Sequence, residues 1–291
     1  MKFIDSSTVL KSGIALMLVL LGSFDTKDSY RLYDRQGKHS NYRQLLDKAV
    51  KADVVLFGEL HDNPICHWLQ LELTRDLYDK KSGKVILGAE MFEADNQMIL
   101  DEFLDGLIGE ANFEKEAKLW NNYRTDYKPL VLFAKEKHIP FIASNIPRRY
   151  ASMVYKGGFA SLQNLSARAK SFIAPLPIAY DSTLEGYSNM LAMAIGHGGS
   201  NLPRAQAIKD ATMAHFIYRN LEKRHTLIHL NGTYHSNNFE GIGWYLNQLD
   251  DRLKILSIAS VEQSDVNVLV PENEGVADFI LTIPSTMTKT H

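Results

Sequence analysis

Val54-Val55-Leu56-Phe57-Gly58-Glu59-Leu60-His61 is the stretch on which the fold turns. Its four apolar residues run without alternation, which suits a strand buried on both faces of a parallel sheet. Gly58 then lets the chain leave the strand sharply, and a carboxylate and an imidazole follow at once. Outward from there, similar runs predict strands at 54–57, 85–87, 140–143, 226–230 and 255–258, and weaker ones at 266–270 and 279–283. Helical patterns lie between them at 41–49 after Ser40 as N-cap, at 64–78 with Pro64 in the first turn, and at 129–137, 203–221 and 239–249. This alternation predicts an α/β fold, a mostly parallel sheet flanked by helices, built from 30–149 and 203–285. Residues 150–202 show no strand pattern and carry Pro175, Pro177 and the loop Gly196-His197-Gly198-Gly199. They predict a smaller all-helical insertion domain. Its Met153, Tyr155, Phe159, Phe172, Tyr187 and Met190 form either a small core or a surface for a partner or ligand.

Composition narrows the function. The 291 residues carry 32 Lys plus Arg against 34 Asp plus Glu, a net charge of −2, so there is no basic excess for nucleic acid. A single cysteine, Cys66, excludes an intrachain disulfide, a CxxC pair and a Cys-rich zinc site. Lys2 and Lys11 accompany the apolar run 14–21, which is shorter than the roughly 20 residues a bilayer-spanning helix needs. It has the length of a signal-peptide core, so residues 1–23 are expected to direct export to the periplasm or outer membrane. Leu20-Leu21-Gly22 is like the end of a lipoprotein signal, with Ser23 where the lipidated cysteine would stand. A membrane therefore enters only through an N-terminal lipid anchor, and only if Ser23 replaces a native Cys.

Ligands of open α/β sheets bind at the carboxyl edge of the strands. At that edge this sequence places Glu59 and His61, then Glu90, then Arg148, then His235. Gly-x-x-His occurs there twice, at Gly58–His61 and Gly232–His235. On the predicted helix 203–221, Gln206, Asp210 and Met213 share one face that can join them. Two chemistries suit the group: two histidines and two glutamates holding a divalent metal that activates water, or Glu59 or His61 as a general base beside Arg148 as an anion clamp. Either would be a hydrolase. The chain has no HExxH, nucleophile elbow, P-loop or dinucleotide fingerprint.

Leu56-Phe57-Gly58-Glu59-Leu60-His61-Asp62-Asn63-Pro64 with His67 resembles the opening motif of the ChaN family of haem-binding uptake lipoproteins. Gly88-Ala89-Glu90-Met91-Phe92 with Gln97, Asn145-Ile146-Pro147-Arg148, and the segment 206–214 resemble that family too, so the likeness runs from about 42 to 283. The paired Gly-x-x-His motifs are similar to those of the wider superfamily with Tiki-type metalloproteases and erythromycin esterases. That wider resemblance implies an active site at Glu59, His61, Glu90, Arg148 and His235. The ChaN resemblance implies haem as cofactor and a role in haem and iron uptake. It also implies a homodimer holding two stacked haems, with tyrosine on iron and His and Lys near the propionates.

A phenolate is a suitable axial ligand for ferric haem, and the absence of CxxCH excludes covalent c-type attachment. Tyr150 is the first candidate for the haem iron, because Arg148 and Arg149 beside it ease phenol deprotonation. Tyr155, Tyr180 and Tyr187 remain open as alternatives. His197 in the glycine loop is the candidate for a propionate across the dimer, with Lys156 and Lys209 as candidate lysines. A small annex covers one haem face, and a second copy would cover the other, so haem binding is expected to tighten a homodimer.

Overall fold

The structure is a computed structural model that describes residues 27–194 and 199–291, with backbone alone at 193 and 194. The segment 1–23, with Ser23, and His197 lie outside the described residues.

An eight-stranded sheet forms in the order β2-β1-β8-β7-β3-β6-β4-β5. The strands β3 (Val54–Glu59), β4 (Val85–Glu93), β5 (Phe141–Asn145), β6 (Thr226–Gly232), β7 (Ile255–Gln263) and β8 (Phe279–Pro284) run parallel. The expected α/β architecture, a mostly parallel sheet flanked by helices, is thus what the chain adopts. Both faces of the sheet are covered, which explains the unbroken apolar runs. Val55 and Phe57 enter one core with Leu69, Leu73, Leu87 and Phe103. Val54 and Leu56 face the other with Ile86, Met213, Ile217 and Leu246.

The helices are α1 (Tyr42–Ala49), α2 (Pro64–Lys80), α3 (Gln97–Leu104), α4 (Glu110–Glu116), α5 (Lys128–Lys137), α6 (Arg148–Gly157), α7 (Ala167–Lys170), α8 (Glu185–Ala194), α9 (Leu202–Arg219) and α10 (Ile242–Leu249). The N-cap of α1 is Asn41, not Ser40. Asn41 and Gln44 form a reciprocal capping box, and the Ser40 hydroxyl donates to the Gln44 side chain instead. Helix α10 starts three residues later than the pattern suggests, because Asn238, Phe239 and Gly241 have φ of 59°, 60° and 52°. The weak run 266–270 is a loop. Among the described residues no strand pairs with it in a ladder, and it is tied down by Tyr33 Oη donating to the Val266 carbonyl (2.7 Å) and Gln263 Nε2 to that of Val268 (2.7 Å). Two strands escaped the sequence reading: β1 (Arg31–Asp34), antiparallel to β8, and the two-residue β2 (His39–Ser40).

Helices α6 and α8 pack on α9, with α7 between them in the chain, and no strand occurs among their described residues. Their apolar centre joins Ile146, Tyr150, Val154, Leu162 and Ile173 to Ala205 and Ile208 of α9. No helix among the described residues is long and apolar enough to cross a membrane.

At the outer rim of the sheet, the Gln97 side chain takes the place of a neighbouring strand. Its amide N–H donates to the Phe141 carbonyl (2.9 Å), and its carbonyl accepts from Ala143 N–H (2.6 Å). Gln97→Ala leaves both groups unpaired and is expected to cost about 1–3 kcal/mol. Urea unfolding measures this, and light scattering at high protein concentration should show added self-association.

Candidate functional site

Three neighbouring parallel strands deliver the site. Glu59 ends β3 opposite Gly232 at the end of β6, and Glu90 lies in β4 on the other side of β6. The glycines make room. A Cβ at Gly58 would stand 2.8 Å from the Ile258 carbonyl oxygen and 2.9 Å from Thr233 Cα. At Gly232 it would stand 2.8 Å from His61 Nε2 and 3.5 Å from Glu90 Oε2. Gly232 N–H also donates to Glu90 Oε2 (2.8 Å), so His61 and Glu90 converge on this one backbone position.

His235 is buried between two carboxylates. Its Nε2 lies 3.1 Å from Glu90, and its Nδ1 donates to Asp210. The Gln206 amide lies 2.9 Å from Nδ1, and Tyr187 Oη donates to the second Asp210 oxygen (2.7 Å). Burial disfavours a charged imidazole, but the Glu90 and Asp210 charges outweigh it and lift His235 to about 9. Burial likewise disfavours the Glu90 carboxylate, yet the His235 charge and hydrogen bond, His61 and the Gly232 N–H hold it well below the usual range. Asp210 is raised by its burial. Of the helix face read from sequence, Gln206 and Asp210 reach this site, while Met213 sits in the apolar core.

A second arm surrounds Glu59. Its carboxylate accepts from Tyr127 Oη (2.6 Å), His61 Nδ1 (2.9 Å) and Gln70 Nε2 (2.5 Å). These donors and the His67 charge overcome the burial penalty and keep it below the ordinary carboxylate range. His61 is raised: burial opposes its charge, but the Glu59 hydrogen bond and the Glu90 charge prevail. The arm continues through His67, which donates to the His61 carbonyl (3.0 Å) and lies 3.5 Å from Asp126. Asn122 donates to both Asp126 and that same carbonyl. His61 is the accessible member, with its side chain 42% exposed against Trp120. Among the described residues, no three His, Cys, Asp or Glu side chains gather as a metal site. Cys66 is buried and its thiol is pushed up to about 12 by burial, so it is inert.

The structure therefore brings Glu59, His61, Glu90 and His235 together. Arg148 opens α6 exposed to solvent, with no ion pair to these groups among the described residues. Tyr127, Gln70, His67 and Asp126 were not singled out by sequence as site residues. The available signal was His67, Gln70 and Thr74 at helical spacing inside the buried face of α2.

The tyrosines differ sharply in their surroundings. Tyr150 is buried on α6, and its phenol oxygen lies 3.2 Å from Arg149, whose other amino group pairs with Asp95 (2.6 Å). The Arg149 guanidinium lies 4.4 Å from the Tyr150 ring centroid. A negative phenol oxygen there would meet a cation, which fits an iron(III) ligand. Tyr155 is 38% exposed, and Tyr180 packs between Phe159 and Tyr187. Tyr187 is raised by burial and by the Asp210 carboxylate that accepts its hydrogen bond, which opposes a phenolate. Lys156 is exposed on α6 and Lys209 half-buried on α9.

A mostly parallel sheet with helices on both faces and a polar carboxyl edge defines the class. The chain belongs to the family of haem-binding uptake proteins of the Tiki superfamily, ChaN, whose pattern it matches over residues 45–246, and haem is the cofactor that membership gives it. Its fold is similar to ChaN of Campylobacter jejuni, described with cofacial haem binding. The TM-score is 0.68 at 18% identity, over 89% of this chain and 98% of that one. An erythromycin esterase in its open conformation aligns at a TM-score of 0.47 and 13% identity, over 88% of this chain and 83% of that one. The effector domain RRSP of Vibrio vulnificus aligns at 0.43 and 15% identity, over 86% and 44%. No curated protein matches the chain in sequence.

Proposed function

We propose that this protein is an exported haem carrier in iron uptake, binding haem at a dimer interface through an axial tyrosine. The observation that carries the reading is the family match over 45–246. The apolar segment 14–21 supports export, to the periplasm or to the outer membrane on a lipid anchor. Tyr150 is the proposed iron ligand, because the Arg149 guanidinium stands against its phenol oxygen. Bound iron would supply ferric Lewis acidity at that oxygen. The chain's own part is to hold the phenol oriented within the cluster of Ile146, Val154 and Ile208, and to keep Arg149 on Asp95.

Hemin added to the full chain should give a saturable Soret change with phenolate charge-transfer bands. Tyr150→Phe should abolish those bands and weaken binding at least tenfold. An unchanged spectrum moves the ligand to Tyr155 or Tyr180, and no saturable change ends the haem reading. Anything bound only by the dimer stabilises the dimer by mass action. Analytical ultracentrifugation should therefore show a weakly associating apo protein and a tighter dimer with hemin. A haem-loaded monomer at micromolar protein would overturn the dimer.

A second reading is favoured by the solvent-facing His61 with Nδ1 on Glu59, the arrangement of a general base. A metal-free hydrolase there would lose turnover of ester or peptide substrates in His61→Ala and Glu59→Gln alike. Haem binding would remain.

A further inference from the structure

A cavity of about 370 Å³ lies between α8 and the turn that follows β6. It has the size of a small-molecule pocket. Its walls are mainly apolar: the Tyr187 ring and Met190 from α8, and Tyr234 at the rim, 74% exposed. Its polar groups are side-chain amides. Asn189 and Asn238 make no side-chain hydrogen bond among the described residues, and Asn237 spends only its carbonyl oxygen, accepting from Thr233 (2.8 Å). One charged residue lines it, Glu240, and both its oxygens are engaged by the N–H groups of Glu185 and Gly186 at 2.7 Å each. The helix end that would otherwise attract an anion is thereby neutralised, and the pocket repels phosphates and propionates.

The wall is also strained. Asn238 and Phe239 are in the left-handed region, and a bulky aromatic residue adopts it only where the surroundings impose it. In this conformation Asn238 lines the cavity beside Gly241, where a Cβ would collide with the His235 carbonyl. A neutral ligand with flat apolar faces and paired donors and acceptors on its edge matches these walls. Amides read the edges of N-heteroaromatic rings, and tyrosine rings stack on their faces. A sugar would leave more hydroxyls unpaired against Met190 and Tyr187 than the amides can serve.

We propose that the cavity between α8 and the turn after β6 binds a neutral purine-type ring, as free base or nucleoside, stacked on Tyr234 and read by Asn189 and Asn238. The site is separate from the haem reading and does not depend on it. Its floor, Tyr187, hydrogen-bonds to Asp210, so an occupant abuts the arm that holds His235.

The test is calorimetric titration of the full chain with adenosine, with glucose and AMP as comparisons, and a hemin absorption titration on the same sample. Saturable one-to-one adenosine binding is expected, with AMP weaker and glucose silent. Tyr234→Ala should weaken adenosine about tenfold or more, from lost stacking. Asn189→Ala and Asn238→Gly should each weaken it several-fold, and glycine keeps the left-handed backbone so that the second variant folds. No saturable adenosine binding, equal binding of glucose, or three unaffected variants would each overturn the proposal. Displacement of adenosine by one equivalent of hemin would overturn it as well, by making the cavity part of the haem site. Failure of the hemin titration alone strikes the carrier reading and leaves this one standing.

Discussion

His235→Ala should destabilise the protein by about 3–5 kcal/mol, because it leaves Glu90 and Asp210 buried without their shared cation. Both carboxylates lie at the edge of the central strands, with 4% and 0% of their surface exposed, so solvent cannot replace the imidazolium. Denaturant titration at pH 6 measures the loss. The wild-type protein should show a matching pH dependence. The folded-state value of about 9 exceeds the ordinary 6.5, so this contribution is complete below about pH 6.5 and is lost as pH rises to about 9. A rise of about 2.5 pH units corresponds to about 3 kcal/mol. Glu90 has the opposite sign: depressed in the fold, it stabilises above its ordinary range and loses that effect as pH falls. Asp210, raised by burial, has the same sign as His235, and its contribution begins to be lost as pH rises above the ordinary carboxylate range. His235→Ala should flatten the alkaline limb. An unchanged limb in the variant would show that another group governs it.

Gly58→Ala should cost about 3 kcal/mol or more, while Gly232→Ala should cost under about 1 kcal/mol. Both glycines lie at the carboxyl end of a central strand, and the difference lies in what the new methyl meets. At Gly58 it meets main chain on two sides, the Ile258 carbonyl and Thr233 Cα, and these cannot move without parting β3 from β7 on one side and from the end of β6 on the other. At Gly232 it meets the outer atoms of the His61 ring, which can swing toward solvent. Thermal melts separate the two variants. The His61 titration by NMR should fall back toward its ordinary value in Gly232→Ala, since the ring leaves Glu59 and Glu90. Equal melting losses would mean that the His61 ring is as fixed as backbone.

The parallel core was legible because β3, β4 and β6 are buried on both faces, so their apolar runs are continuous rather than alternating, with only Thr226 and His229 of the β6 run polar. β1 was hidden for the opposite reason. Arg31-Leu32-Tyr33-Asp34 buries only its middle pair, and its partner β2 is too short to show a period. The run 266–270 has strand-like residues, but strand formation needs a ladder partner, and Val268 is left 66% exposed. Glu59, His61, Glu90 and His235 were readable as residues that follow apolar runs. The Asp210 contact was foreshadowed by helical spacing in α9. Tyr127 was not, because a π-helical turn at Tyr123–Tyr127 aims it at Glu59 and no periodicity announces such a turn. Arg148 follows its strand as closely as the others do, yet helix α6 begins there and leaves its side chain in solvent.

Both rims of the sheet resist strand addition. One ends in a two-residue strand, and on the other the Phe141 carbonyl and Ala143 N–H are occupied by a single glutamine. In the proposed dimer, side chains and bound ligand, not a lengthened sheet, would do the joining. An assembly of that kind would stop at a fixed number of subunits, come apart when the ligand leaves, and be countable in ligand equivalents.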